Sequence, residues 1–136
     1  MNNYPVTKAA NQKAVAECEY GVGAEVKFTK FTSCLGVFCK IKNTSKVIGV
    51  HLVLVDGKGV EFKAKDVPSI KKILEDNGAE LDTGWVVGCL DKWSGNIKTE
   101  FYKMFEDDTG SRIMDKGDGV YSALVKDSAV KVTFTK

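Results

Sequence analysis

The chain has one histidine, His51, and 17 residues before it a cysteine, Cys34, on two apolar, β-branched runs joined by the polar turn Asn43-Thr44-Ser45-Lys46. A thiol attacks as its thiolate, and an imidazole on a neighbouring strand can take the proton or stabilise the charge. Such a pair suits attack on a carbonyl carbon, with backbone N–H groups around Ser33 and Leu35 placed to hold the resulting oxyanion. A third group ordinarily orients the imidazole through its other nitrogen. The candidates are the hydroxyls of Thr29, Thr32 and Ser33 just before Cys34, and Asp56 at the end of the histidine run. The same pair could instead serve peptide cleavage or transglutamination, and the competing view is plain packing in a binding or inhibitory domain, with the cysteine a small buried hydrophobe and the histidine structural.

The elements that position the pair follow from the pattern around it. Val47 to Val55 is rich in valine and isoleucine and is bounded by polar, glycine-containing turns, so it predicts a buried strand. Alternation puts His51 on one face with Val47, Gly49, Val53 and Val55. The preceding strand runs from about Leu35 to Lys42. A tight hairpin with Asn43 opposite Lys46 sets Phe38 opposite His51 and Gly36 opposite Val53. Cys34 then shares the histidine face but lies four residues along it, roughly 13 Å at about 3.3 Å per residue. To reach His51 the chain has to turn back before Gly36. A slip of one residue instead places Cys39 opposite His51, which makes Cys39 a rival nucleophile.

The run Thr29 to Gly57, with Thr-Ser-Cys at 32–34, an apolar strand, a polar turn and Val-Ile-Gly-Val-His at 47–51, resembles the core of the CheD-like glutamine deamidases. The catalytic domains of the cytotoxic necrotizing factors and the Burkholderia lethal factor share that Cys-His core. The resemblance implies a layered α+β fold and a protein partner whose glutamine becomes glutamate, with no cofactor. It also implies Cys34 as nucleophile in preference to Cys39, since the 17-residue interval is similar to that of CheD. His51 is then the base and Thr29 the third member.

Composition bounds the rest. A chain of 136 residues that is 43% hydrophobic can bury one proper core, so a single domain over 1–136 is expected. Twenty Lys+Arg against eighteen Asp+Glu leave a charge of +2, and Arg112 is the sole arginine, which argues against nucleic acid as a partner. No run approaches the ~20 apolar residues of a membrane helix. The N-terminus lacks a charged stretch followed by an apolar one, so no Sec-type leader is expected. The expected setting is the cytoplasm, or a host cytosol reached as an effector without a cleavable signal. Cys18, Cys34, Cys39 and Cys89 form no CxxC pair or zinc spacing, and reduced thiols are expected.

Along the chain, Lys8 to Glu19 reads as a short helix or a loose arm. Glu25 to Phe31 reads as a strand leading directly into Cys34, and residues 59–64 as a short edge strand or extended loop. A helix follows from Asp66-Val67-Pro68 to Asn77-Gly78, then a strand at 83–90 and a second helix over Lys98 to Asp107. Asp115 to Gly119 reads as a turn, and residues 119–134 as a closing hairpin. This order predicts an α+β sandwich of mainly antiparallel sheet covered in part by about two helices.

Overall fold

A computed structural model describes residues 4–136. It is an α+β sandwich of three layers. The central layer is a six-stranded sheet built from β1 (Thr7–Lys8), β2 (Glu19–Gly23), β5 (Val47–Leu52), β4 (Leu35–Ile41), β6 (Ala79–Gly88) and β7 (Ile113–Met114), in that spatial order. The β1/β2 and β6/β7 pairs are parallel and the rest antiparallel. A second sheet, β3 (Glu25–Lys27), β8 (Val120–Lys126) and β9 (Ala129–Thr135), packs over one face. Helices α1 (Val67–Asp76) and α2 (Gly95–Met104) pack against β6 and against each other.

The hydrophobic alternation accounts for the layers. β4 and β5 have both faces covered, and every residue of β5 is buried. α1 buries Val67, Ile70 and Leu74, the 3, 4 spacing of one helix face. It ends where the Asn77 side chain donates to the Ile73 carbonyl and Gly78 takes φ +78°. α2 begins three residues earlier than its apolar pattern suggests, because Ser94 Oγ accepts from the Ile97 N–H and caps it.

Two expected elements differ. Lys8 to Glu19 is not a helix. Asn11 Oδ1 accepts from the Lys13 N–H and Glu19 Oε1 from the Ala16 N–H, so side chains take the donors that a helix would have used. The strand before Cys34 stops at Lys27 and belongs to the second sheet, paired with β8 and not with the Cys34 strand. Of the two alternatives for residues 59–64 the structure shows the extended loop, with one bridge from Val55 to Glu61, and Ala64 already begins a 3-10 turn over Ala64–Asp66. Residues 115–119, read as a turn, run as an irregular loop with a bend at Asp118 and a bridge from Gly119 to Phe31, and β8 and β9 form the closing hairpin.

Candidate functional site

Gly36, not Phe38, lies opposite His51. The hairpin loop is longer than a tight turn: Ile41 N–H bonds the Lys46 carbonyl, and Thr44 Oγ1 links the Ile41 carbonyl to the Lys46 N–H. That moves the register by two residues, and an even shift leaves every side chain on its predicted face. It also halves the separation expected between Cys34 and His51, to two residues, or about 7 Å along the ladder. Cys39 pairs with Ile48 and so faces away from His51. Its charged neighbours are Arg112 and Asp82, and burial pushes its thiol pKa far up.

His51 is fully buried between the sheets. The Phe31 ring lies 4.5 Å and the Phe28 ring 5.3 Å from the imidazole. Gly36 makes room for them, since a Cβ there would stand 2.5 Å from Phe28 Cε2 and 2.9 Å from Phe31 Cζ. Nδ1 lies 2.9 Å from the Val15 carbonyl oxygen. A carbonyl can only accept, so Nδ1 carries the proton and Nε2 keeps the lone pair. Among the described residues Nε2 has no partner.

Burial lowers the His51 pKa below its ordinary value of 6.5, against smaller opposing effects of the Val15 carbonyl and the carboxylates of Glu17 and Glu19. The ring is therefore neutral near pH 7. As the pH falls from 7 through that ordinary value, the unfolded chain binds more proton at this histidine than the folded chain does, so stability falls with it. Urea midpoints measured at pH 7 and pH 5 are expected to drop in wild type and to drop less in His51→Gln. Equal drops in the two would mean that other groups set the pH dependence.

Cys34 sits at an elbow immediately before β4. Ser33 takes φ +64°, its N–H donates to Asp118 Oδ1 at 2.9 Å, and its carbonyl accepts from Trp93 Nε1 at 3.0 Å. The Cys34 carbonyl accepts from the Cys89 N–H. The peptide before the thiol is thus fixed from both sides. The thiol itself is fully buried, with Sγ 3.5 Å from the Thr32 carbonyl and 3.8 Å from Glu17 Oε2. Burial, helped by the Glu17 and Asp118 carboxylates, pushes its pKa up to about 11. Among the described residues no hydrogen bond joins Cys34 to His51.

The expected supporting roles are redistributed. Thr29 is exposed, and its backbone N–H shares the Val15 carbonyl with His51 Nδ1. Asp56 Oδ1 accepts from the N–H groups of Lys58 and Val60 in its own turn. The orienting partner of His51 is therefore a main-chain oxygen, which no residue type could have signalled. Of the oxyanion donors, the Ser33 N–H is taken by Asp118, and Leu35 opens the ladder between Leu52 and Gly88. That leaves the N–H of Cys34 itself, which makes no hydrogen bond among the described residues. Asp118, in the loop before β8, also accepts from Cys89 Sγ at 3.1 Å.

The cysteines Cys18, Cys34, Cys39 and Cys89 are free thiols. Among the described residues no group of three or more His, Cys, Asp or Glu side chains is placed to hold a metal ion, and no helix is long and apolar enough to cross a membrane. No protein-family model matches the chain, and no curated protein does.

Proposed function

We propose that the chain is a cysteine-dependent amidohydrolase that converts a glutamine side chain of a partner protein to glutamate. One observation carries this reading: the buried lone pair of His51 Nε2 has no partner, while Nδ1–H is held by the Val15 carbonyl. A base with a fixed tautomer and an unused acceptor, on the strand beside the one that Cys34 precedes, is what a thiol nucleophile requires.

In the reaction, the Cys34 thiol proton passes to His51 Nε2 and the sulfur attacks the carboxamide carbon. The Cys34 N–H supports the oxyanion. The C–N bond then breaks, with the proton leaving on ammonia. Water adds to the thioester with His51 as base, releasing the glutamate and restoring the thiol. The product carries one more negative charge, enough to alter the partner's interactions. The resemblance to CheD-like and toxin deamidases suggests a chemoreceptor-like or host protein as partner, met in the bacterial or host cytosol.

A second reading has an observation of its own. Cys34 and His51 are both fully buried and are not bonded to each other, as in a non-catalytic binding domain where they serve as core. Site-resolved iodoacetamide labelling against pH separates the two. An imidazole-coupled Cys34 is expected to label faster than Cys39 and Cys89 near pH 7, and to slow about tenfold or more in His51→Ala, as loss of a base-assisted proton transfer implies. Ammonia release from a glutamine-containing peptide library should require both residues. Slow labelling that is unchanged in His51→Ala would favour the core reading.

A further inference from the structure

We infer that the Ala16–Glu19 turn is a built-in stopper for the Cys34 thiol, with the Glu17 carboxylate standing where a substrate carboxamide must enter. The inference builds on the thiol–imidazole reading of the site. The turn is closed by the Glu19 N–H on the Ala16 carbonyl at 3.1 Å and by Glu19 Oε1 on the Ala16 N–H at 2.9 Å. Cys18 at its third position takes φ +64°, as a type II turn demands. Glu17 therefore projects from the turn's second position.

Both flanks of this turn are fastened to His51. The Val15 carbonyl accepts from Nδ1, and the Cys18 N–H donates to the His51 carbonyl at 2.8 Å. The turn is thus held over the same pair that the proposed chemistry uses. Glu17 is exposed, whereas the Cys34 sulfur 3.8 Å from its Oε2 is fully buried, so the carboxylate lies on the solvent side of the thiol. The main surface clefts are lined by other residues, such as Phe62, Ala64 and Ile97 in one of about 500 Å³.

Glutamate and glutamine have the same shape. Glu17 consequently presents to the sulfur the group that the proposed reaction would make, as a product does when it has not left. Its negative charge also disfavours the thiolate. Displacement of the turn by a substrate segment would uncover the sulfur and remove that charge in one movement.

The test is the iodoacetamide labelling rate of Cys34 at pH 8 in the full chain, in wild type, Glu17→Gln and Glu17→Ala, with Cys39 and Cys89 as internal references. Glu17→Ala is expected to raise the Cys34 rate about tenfold or more, because it removes both the bulk over the sulfur and the charge that disfavours the thiolate. Glu17→Gln, which removes the charge and keeps the bulk, should raise it by less. Unchanged rates in both variants, or an equal rise at Cys39 and Cys89 from general loosening, would overturn the stopper. A separate arm tests the chemistry. In Glu17→Gln the new side chain lies at the thiol, and its conversion to glutamate is read as a gain of about one mass unit that Cys34→Ser abolishes. Faster Cys34 labelling without that conversion keeps the stopper and counts against the deamidase.

Discussion

Phe28→Ala is expected to destabilise the protein by about 3–5 kcal/mol, the cost of emptying a phenylalanine site in a closed core. The ring is 1% exposed and stands at the junction of the two sheets. It stacks on Phe38 at 4.6 Å and on Phe31 at 5.3 Å, and leans on the His51 imidazole. It also fills the space left by Gly36, so the truncation leaves an opening between backbone and rings that cannot readily close. The measurement is the urea unfolding free energy at pH 7. Phe28→Leu should lose clearly less, since it retains most of the volume. A loss under about 1 kcal/mol for the alanine variant would mean that the layer collapses into the gap and is not close-packed there. Because Phe28 holds one side of the imidazole, the alanine variant should also blur the pH dependence assigned to His51.

Gly88→Ala is the second large effect. Gly88 ends β6 opposite Leu35 with φ +123°, a conformation that L side chains rarely adopt. An added Cβ would collide with the Cys34 carbonyl oxygen and also with the Phe31 ring, whose Cε2 would stand 2.9 Å away, closer than contact allows. Backbone strain of about 1–3 kcal/mol and overpacking of about 1–3 kcal/mol act together, since neither the carbonyl nor the buried ring can swing aside freely. The Cys34 carbonyl also accepts from the Cys89 N–H, so the collision displaces the elbow that presents the thiol. The expected result is a lower urea midpoint together with altered Cys34 labelling. Wild-type stability in Gly88→Ala would show that the elbow relaxes at no cost. By contrast Gly95, whose Cβ meets nothing within 4 Å, should accept alanine without loss.

Much of the fold was legible because local patterns and the final packing agree. The valine and isoleucine run at 47–55 is a buried strand in its first six residues, since both its faces are covered. Val67, Ile70 and Leu74 meet the core because helical spacing puts them on one side. Where competing hydrogen bonds intervene, pattern alone misleads. Asn11 and Glu19 cap turns in a segment whose composition suits a helix, and Thr44 lengthens a hairpin that apolar content alone makes tight.

At the site, the sequence by itself determined that Cys34 immediately precedes the strand neighbouring that of His51, because the two apolar runs and their faces survive any register shift of two. It could not determine how far apart they lie, since the loop hydrogen bonds that set the register are worth little singly and leave no clear mark in residue type. The tertiary structure alone decided the rest. It excluded the one-residue slip that would set Cys39 opposite His51, gave His51 a main-chain partner in Val15, used the Ser33 N–H on Asp118 and brought Glu17 to the thiol. Each is a contact between segments distant in the chain, or to a backbone atom that every residue possesses. Such contacts are fixed by how the layers close, which no local spacing encodes.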